Sequence, residues 1–490
     1  MSGPHLTRER RARELDELTS ATFDVLVVGG GVTGCGVALD AASRGLSVAL
    51  VEKNDLAHGT SRWSSKLVHG GLRYLATGDI GLALESARER DVLLRRTAPH
   101  LVRPLPMVVP LGDDIGPMDG VLFDAGHRTG DVLRLLAGTP RSALPRPRRI
   151  GVAETVRLTP AVRRAGLRGG LLNWDGQLED DARLVVALAR TAASYGVRIL
   201  TRTTALDGFG AIRDELTGAT AQVTARTVVN ATGVWAASLA PETQLRPSKG
   251  VHLVLPAVLL GNPTASMTVA VPGERNRYVF ALPHPDGLVY VGLTDDAVDG
   301  PLPDVPSADE TEIAFLLATL SRGLERPLSR ADCVGSFAGL RPLLAGVEGR
   351  TADLSRRHAV VHGADGLWTV LGGKLTTYRR MAQDVVDRLT DVPCRTTSLP
   401  LVGATGRVTS DVPDRLVRRY GGEAEQVAAL GTEPVAPGVP VLTGELAWGV
   451  AAEGALTAED LLERRTRLSL VDAWLEASRS AAETALAVGV

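Results

Sequence analysis

Cysteine is scarce in this sequence. Only three occur among the 490 residues, Cys35, Cys333 and Cys394, and no two of them form a C-x-x-C pair. This count excludes a disulfide framework and a cysteine-rich zinc site, and it predicts a reducing compartment. Cys35 falls in a helical stretch of small residues, where a thiol packs as a small apolar side chain. We therefore expect a structural role for it.

Long apolar runs and an excess of one charge are also absent. No stretch reaches the roughly 18 uninterrupted apolar residues that a membrane-spanning helix needs, and residues 1–18 are charge-rich rather than signal-like. The 54 Lys and Arg residues nearly balance 56 Asp and Glu residues, so no global field attracts nucleic acid. We expect no nucleic-acid partner and a cytoplasmic location, either in solution or peripheral on the cytoplasmic face of the membrane. A short charged helix over residues 7–18 has too little apolar surface to serve as a membrane anchor.

Patterns typical of metal sites are missing as well. No His-x-x-x-His, Glu-x-x-His or cysteine cluster has metal-ligand spacing, so no metal is expected. His358 and His362 are four positions apart, but they fall in a strand-like run, where this spacing does not define a helical face. The pair Asp180 and Asp181 is predicted to cap a helix rather than to act in catalysis.

The region after residue 22 has the pattern of a βαβ unit. An apolar run at 23–28 leads into G-x-G-x-x-G at 29–34, a helical stretch extends to Ser43, and a second apolar run at 47–51 ends at Glu52. Such glycines permit the turn, the approach of a pyrophosphate and helix–strand packing, and the pyrophosphate then meets a helix N-terminus. Glu52 follows the motif's last glycine by 18 positions, the spacing at which a carboxylate accepts hydrogen bonds from ribose hydroxyls. A dinucleotide site is predicted, and this spacing does not separate FAD from NAD.

The rest of the chain indicates more than one domain. At 490 residues and 44% hydrophobic composition, two or three domains are expected. Strand-like runs at 227–230 and 367–371 end in small residues and are expected to complete the nucleotide sheet. Segments of alternating polarity before and between them favour an inserted mixed sheet that roofs a ligand. Helical runs beyond about residue 396 indicate a separate small helical domain.

Several segments resemble one flavoenzyme family. Residues 59–75, GTSRWSSKLVHGGLRYL, resemble the segment after the second strand in the FAD-dependent, aerobic glycerol-3-phosphate dehydrogenases of the D-amino-acid-oxidase-like superfamily. Residues 372–379, GGKLTTYR, are similar to that family's second flavin-contacting segment. Further similar segments follow in the family's order and continue into the C-terminal helices: 180–184, 230–235, 249–252, 292–295, 339–343, 445–448, 453–457 and 464–468. Residues 107–149 are rich in Arg and Pro and align only loosely.

The resemblance implies an α/β fold with a Rossmann-like FAD-binding domain, an inserted mixed-sheet substrate domain and a C-terminal helical domain. We expect an FAD-dependent oxidoreductase region over residues 20–395 and the helical domain over 396–490. Within the first region, the FAD domain is placed at roughly 20–103, 170–246 and 336–395, and the substrate-domain insertions at roughly 104–169 and 247–335. The implied reaction is the oxidation of sn-glycerol 3-phosphate to dihydroxyacetone phosphate, with electrons passed to a quinone at a membrane surface. The resemblance leaves open whether the chain forms a homodimer.

The resemblance also implies which residues bind the cofactor. Two groups of segments contribute, one around the glycine turn and the strand that follows it, the other around the later small-residue turns. The residues are Gly29, Gly31, Thr33, Gly34, Glu52, Lys53, Thr60, Ser61, Ser65, Lys66, His69, Gly71, Thr232, Gly233, Gly372, Gly373, Lys374, Leu375 and Thr376.

The reaction needs cations for the substrate phosphate. Arginine suits this task because its planar fork donates two parallel hydrogen bonds. Arg73, Arg341 and Arg356 lie in or beside the similar segments, and we assign all three to the substrate, the first two also to catalysis. Tyr74 and Thr376 are assigned as further substrate contacts.

The reaction also needs hydride transfer to flavin and removal of the hydroxyl proton. His69 is assigned to catalysis either as the proton acceptor or as a group that orients the flavin, and the sequence leaves these roles open. Lys374 follows two glycines, so its ammonium is expected to stabilise negative charge on the reduced flavin.

Other functions share part of this pattern. A glycerol-3-phosphate oxidase would give the electrons to oxygen and release hydrogen peroxide, but oxidases of this family carry an extra insertion for which 490 residues leave little room. A non-catalytic flavin-binding redox sensor would not need Arg73, Arg341 and Lys374 together. An NAD-dependent enzyme would have no flavin ring to meet the segment at 372–374. The dehydrogenase is the favoured prediction.

Overall fold

Two large β-sheets form the frame of the molecule. The computed structural model describes residues 3–72, 74, 78–113, 115–274, 277–345, 357–409 and 411–489. The strands are β1 Thr22–Val28, β2 Val48–Glu52, β3 Leu67–Val68, β4 Val102–Pro110, β5 Arg148–Ile150, β6 Gly170–Leu178, β7 Arg198–Thr201, β8 Thr203–Ala205, β9 Ala211–Asp214, β10 Thr220–Gln222, β11 Thr224–Asn230, β12 Ser248–Pro256, β13 Ser266–Ala270, β14 Tyr278–His284, β15 Leu288–Gly292, β16 Asp296–Ala297, β17 Gly335–Arg341, β18 His358–His362 and β19 Trp368–Gly372.

Helices cover the sheets and form the C-terminal region. The α-helices are Arg8–Ser20, Val32–Ser43, Ile80–Val92, Pro117–Leu136, Val152–Leu158, Asp181–Ser194, Glu310–Ser321, Tyr378–Val386, Asp414–Tyr420, Ala424–Ala428, Thr443–Glu453 and Asp472–Val488. Short 3₁₀ turns occur at Thr60–Arg62, Gly233–Ser238, Ala257–Leu260, Arg330–Asp332, Leu375–Thr377, Gly421–Glu423 and Leu468–Leu470, and π-helical turns at Leu93–Thr97 and Asp460–Arg465.

The nucleotide sheet has the predicted parallel core. Its order is β18-β19-β11-β1-β2-β7, and β1 pairs in parallel with both β2 and β11. The runs that form it are apolar and β-branched, as strands buried on both faces require. Helix Val32–Ser43 packs against this sheet and is buried along nearly its whole length, including Cys35. The predicted βαβ unit and the structural role of Cys35 are confirmed.

The second sheet is mixed and is built mainly from the predicted insertions. Its order is β16-β12-β15-β14-β13-β4-β6-β3, with β17 paired to β12 and β5 to β6. Strands β6 and β17 belong to this sheet, although the predicted limits put residues 170–246 and 336–395 in the FAD domain. The reason is non-local pairing: β6 forms a long antiparallel ladder with β4, and β17 forms one with β12. The remaining domain limits stay predictions.

The C-terminal region is helical, as predicted. Its helices enclose two apolar clusters, one around Leu416 and Tyr420 and the other around Leu461 and Leu462. The N-terminal helix Arg8–Ser20 confirms the predicted charged helix. Its inward side is buried against the protein, so that side is not available to a membrane.

Three smaller features of the structure relate to the sequence analysis. The side chain of Asp180 accepts hydrogen bonds at the start of helix Asp181–Ser194, which confirms the predicted cap. His358 and His362 lie in β18, and within the described ranges no group of three His, Cys, Asp or Glu side chains is placed to hold a metal ion. Among the helices of those ranges, none combines the length and apolar character needed to cross a membrane.

Candidate functional site

A large cavity lies between the nucleotide sheet and the second sheet. Its volume is about 2490 Å³, well above the roughly 300–1,000 Å³ of pockets for drug-sized ligands. The ends of β1, β2 and β19 line one side, and alternate residues of β4, β6, β12, β13 and β14, together with the end of β17, line the other. Because alternate residues of a strand share a face, one face of the second sheet covers the cavity. This space accommodates a dinucleotide together with a small substrate.

The glycine turn leaves room for a pyrophosphate at one end of the cavity. Gly29 has a φ of +113°, and a Cβ added there would stand 2.6 Å from the carbonyl oxygen of Ala231. Gly34 packs against the backbone of Gly29 so closely that no side chain fits. The backbone N–H of Val32, at the start of the helix, donates to Ser61 Oγ over 2.9 Å. A helix N-terminus with this hydroxyl beside it is suited to bind an anionic group.

Glu52 ends β2 and lines the cavity beside this turn. Its Oε2 accepts a hydrogen bond from Gly30 N at 2.6 Å, and its Oε1 accepts one from Asn54 N at 2.8 Å. Burial raises the pKa of the Glu52 carboxyl, and the two backbone donors oppose that shift. Each carboxylate oxygen has a second lone-pair direction, so both oxygens can still accept hydrogen bonds from ribose hydroxyls.

The turn after β19 forms another part of the wall. Gly372 and Gly373 have φ values of +70° and +85°, which only glycine adopts without strain. This turn brings Lys374, Leu375 and the buried Thr376 to the cavity. Because Gly372 and Gly373 carry no side chain and line the cavity, their backbone is suited to contact a planar ring.

Lys374 lies with His69 and Tyr74 on the cavity wall. Its ammonium donates to Ser86 Oγ and stands 4.3 Å from the centre of the Tyr74 ring. The His69 and Tyr74 rings are stacked with their centres 6.3 Å apart. The three predicted residues are therefore brought together, with the lysine charge against an aromatic face.

Arg341 lies at the end of β17 on the same cavity. Its Nη1 donates to Ser248 Oγ at 2.9 Å and to Asp295 Oδ1 at 3.2 Å, and its Nη2 donates to the carbonyl oxygen of Thr294 at 3.0 Å. A Cβ added at Gly250 on the neighbouring strand would overlap the guanidinium. Arg341 is thus held in one orientation at the wall. The other two predicted arginines, Arg73 and Arg356, lie outside the described residues.

The remaining predicted cofactor residues fall into two groups. Three of them are absent from the cavity lining: Gly34 packs on the glycine turn, Gly71 packs on helix Ile80–Val92, and the buried Lys66 pairs with Asp181 at 3.2 Å. Those that line the cavity, besides the residues described above, are Gly31, Thr33, Lys53, Thr60, Ser61, Ser65, Thr232 and Gly233.

His252 is a cavity residue for which no role was predicted. It lies on β12 two positions after Gly250, so both face the cavity. Its Nε2 is 2.8 Å from Ser65 Oγ, and its ring stacks on Phe337 with centres 4.7 Å apart. Among the described residues, its Nδ1 has no hydrogen-bond partner. Burial, reinforced by the charges of Lys66 and Arg341, holds the pKa of His252 well below its usual range. The sequence feature that could have identified it is its spacing of two positions from Gly250, because residues two apart on a strand share a face.

Comparisons with known proteins agree with this geometry. The profile of the family "FAD dependent oxidoreductase" matches residues 24–379, and that of the "C-terminal domain of alpha-glycerophosphate oxidase" matches residues 358–488. Glycerol-3-phosphate dehydrogenase 1 of Mycobacterium tuberculosis is 51% identical over 96% of both chains. Glycerol-3-phosphate dehydrogenase 2 of the same organism is 39% identical over 94% of this chain and 83% of its own.

Solved structures show the same fold. A glycerol-3-phosphate dehydrogenase from Bacillus halodurans, complexed with FAD, superposes with a TM-score of 0.74 at 26% identity, over 98% of this chain and 94% of the other. L-alpha-glycerophosphate oxidase from Mycoplasma pneumoniae, with FAD bound, has a TM-score of 0.58 at 20% identity, over 78% of this chain and 99% of the other. The glycine turn, Glu52 and the cavity fit FAD as the cofactor. The chain therefore belongs to the FAD-dependent oxidoreductases, in the family of the glycerol-3-phosphate dehydrogenases.

Proposed function

We propose that this protein oxidises the secondary hydroxyl of sn-glycerol 3-phosphate, giving dihydroxyacetone phosphate, and passes the electrons to a quinone. One observation carries the proposal: a single cavity joins the glycine turn and Glu52 to a wall that presents Arg341, His252 and Lys374. A dinucleotide and a small anionic alcohol can therefore lie side by side. The relatives named glycerol-3-phosphate dehydrogenase support this choice of substrate.

The residues of the glycine turn would hold FAD. Glu52 would bind the ribose hydroxyls, and the N-terminus of helix Val32–Ser43 would face the pyrophosphate. The turn at Gly372 and Gly373 would let backbone lie against the ring. Bound FAD supplies the acceptor for the hydride that leaves the carbinol carbon.

Two histidines are candidates to take the hydroxyl proton. Its lowered pKa keeps His252 neutral at neutral pH, and a neutral imidazole retains one acceptor nitrogen. His69 also lines the cavity, stacked on Tyr74. We assign the proton to His252, because Ser65 fixes its ring, and an orienting role to His69.

A paired substitution tests this assignment. His252→Gln is expected to slow the reduction of bound FAD by substrate about 10²- to 10⁴-fold, whereas His69→Gln should lower that rate less. FAD content, measured in both variants, separates a defect in chemistry from loss of cofactor. A larger loss of rate in His69→Gln at equal FAD content would reverse the two roles.

The substrate itself has a direct test. Under anaerobic conditions, sn-glycerol 3-phosphate should reduce the FAD of the purified protein, and its enantiomer should do so far more slowly. A protein that is reduced by neither compound would contradict the proposed reaction. The absence of reduction by either compound would instead favour the non-catalytic flavin sensor.

An exposed apolar helix face supports attachment to a membrane surface. In helix Pro117–Leu136, Met118 and Leu122 are 79% and 72% exposed, and Val132 and Leu136 continue the same face. Exposed arginines follow the helix at positions 141, 146, 148 and 149. Apolar residues beside arginines suit the surface of an anionic bilayer. Residues of the helix, including Phe123 and His127, also line the cavity, so a membrane quinone would approach from this side.

Vesicle binding tests the surface. The protein is expected to co-sediment with vesicles of phosphatidylglycerol and phosphatidylcholine, and Leu122→Ser with Leu136→Ser should abolish it. Val258→Ser is the control, because Val258 is equally exposed elsewhere and should not matter. If the double variant instead loses a dimer and keeps vesicle binding, this face binds a second copy of the chain and the membrane assignment is wrong.

A further inference from the structure

A buried ion cluster joins the C-terminal helices to the loop that follows Glu52. Asp55, only 1% exposed, accepts hydrogen bonds on both carboxylate oxygens. Arg465, fully buried, donates to them at 2.8 and 2.9 Å, and Arg464 Nε donates to Oδ2 at 2.7 Å. The partners are about 410 positions apart in sequence. A buried charge without its partners is strongly destabilising, so the loop and the C-terminal segment hold each other in place.

The same segment also fixes the far end of this loop. The guanidinium of Arg62, which is buried, donates to Glu463 Oε2 at 2.5 Å. Arg467 Nη2 donates to the carbonyl oxygen of Arg62 at 2.6 Å. Residues 460–467, defined here as the clamp segment, therefore hold both ends of the loop at 55–62.

The loop in turn supports the glycine turn. The N–H of Ala57 donates to the carbonyl oxygen of Gly30 at 3.0 Å. Ser61 Oγ accepts from Val32 N at the start of the helix. Residues 58–61 line the cavity between these two contacts. A shift of the loop would move the groups that face the cofactor phosphates.

We propose that the clamp segment of the C-terminal region is a positioning element of the FAD site. Arg464 and Arg465 do not line the cavity. They act on FAD affinity through Asp55 and the loop, and so give the C-terminal helices a share in cofactor retention. This role concerns FAD and does not depend on the substrate or the electron acceptor.

Release of FAD from the purified holoprotein on dilution, followed by flavin fluorescence, tests the proposal. Arg465→Lys keeps the charge but loses the fork that binds both oxygens of Asp55, so the FAD dissociation constant should rise at least tenfold. Glu463→Gln is a milder second variant, because Glu463 is partly exposed, and it should raise the constant about threefold.

Arg415→Lys is the matched control. Arg415 is a buried arginine of the same region that donates to Glu445 and Asp286, both at 2.6 Å. Among the described residues, its ion pairs are with these two carboxylates and not with the loop at 55–62. Its FAD dissociation constant should stay within twofold of the parent, while its thermal melting at saturating FAD should fall as much as in Arg465→Lys. Equal FAD affinity in the two lysine variants would overturn the proposal. If Arg465→Lys does not fold, unchanged FAD affinity in Glu463→Gln overturns it instead.

Discussion

Replacing Arg341 with lysine keeps a positive charge at the cavity wall and removes the planar fork. The guanidinium is held by Ser248, Asp295 and the carbonyl oxygen of Thr294, so its orientation is set before any ligand arrives. A lysine ammonium cannot satisfy these partners and also present two parallel donors. If the fork meets the substrate phosphate, the substitution should weaken that contact specifically.

The expected size of the effect follows from the lost hydrogen bond. A hydrogen bond to a charged group contributes roughly 1.5–3 kcal/mol, and lysine is expected to forfeit one of the two that the fork would make. At about 1.36 kcal/mol per tenfold change in rate, kcat/KM for sn-glycerol 3-phosphate should fall about 10- to 150-fold. Glycerol has no phosphate, so its kcat/KM should change much less.

The ratio of the two kcat/KM values is the quantity to measure, in steady-state assays with parent and Arg341→Lys protein at equal FAD content. Asp295→Asn is the matched variant, because it removes one carboxylate that holds the arginine and keeps the fork; it should shift the ratio in the same direction as Arg341→Lys but by less. An unchanged ratio in Arg341→Lys would refute the phosphate contact. It would leave Arg341 as a group that only holds β12 and β17 together.

Three further predictions concern the cofactor and the fold. Glu52→Ala removes the acceptor of the Gly30 and Asn54 N–H groups and should weaken FAD binding about 10- to 150-fold, because a lost hydrogen bond to a charged group costs roughly 1.5–3 kcal/mol; equal flavin content after gel filtration would count against the ribose role. Lys374→Met should lower the FAD reduction potential by about 30 mV for each 1.4 kcal/mol of lost stabilisation of the reduced form, and coinciding potentials in potentiometry would reject that role. Burial lowers the pKa of His100 to about 4 from 6.5, so the unfolded chain binds a proton that the folded chain does not, and stability falls as the pH drops below about 6.5. Between about pH 7.5 and about pH 5.5, the free energy of unfolding should therefore fall by about 1.4 kcal/mol more in the parent than in His100→Gln, as measured by urea titration. An equal fall in both proteins would contradict this.

The nucleotide sheet was predictable because its signals are local. An apolar run, a glycine turn and a carboxylate at a fixed spacing define β1, the first helix and β2 without knowledge of the rest of the fold. The position of Cys35 and the cap at Asp180 follow from equally local rules.

The structure places residues differently from the sequence-based expectation where pairing between distant segments decides the fold. Strand β6 belongs to the second sheet because it pairs with β4, which lies before a helical insertion in the sequence. The residues of β6 alone do not indicate which sheet the strand joins. Lys66 stands next to Ser65 in a segment similar to a cofactor-binding one, but Ser65 faces the cavity while Lys66 pairs with Asp181. No role was predicted for His252, because it comes to lie opposite Ser65 only when β12 has taken its place in the sheet.

The electron acceptor of the reduced flavin can be identified by measuring both possible products of its reoxidation. Purified protein on phosphatidylglycerol vesicles that contain a quinone is given sn-glycerol 3-phosphate in air, and reduced quinone and hydrogen peroxide are measured per dihydroxyacetone phosphate formed. We predict about one reduced quinone per product and little peroxide, since two electrons leave each substrate. About one peroxide per product, with the quinone left oxidised, would contradict the account and identify the protein as an oxidase.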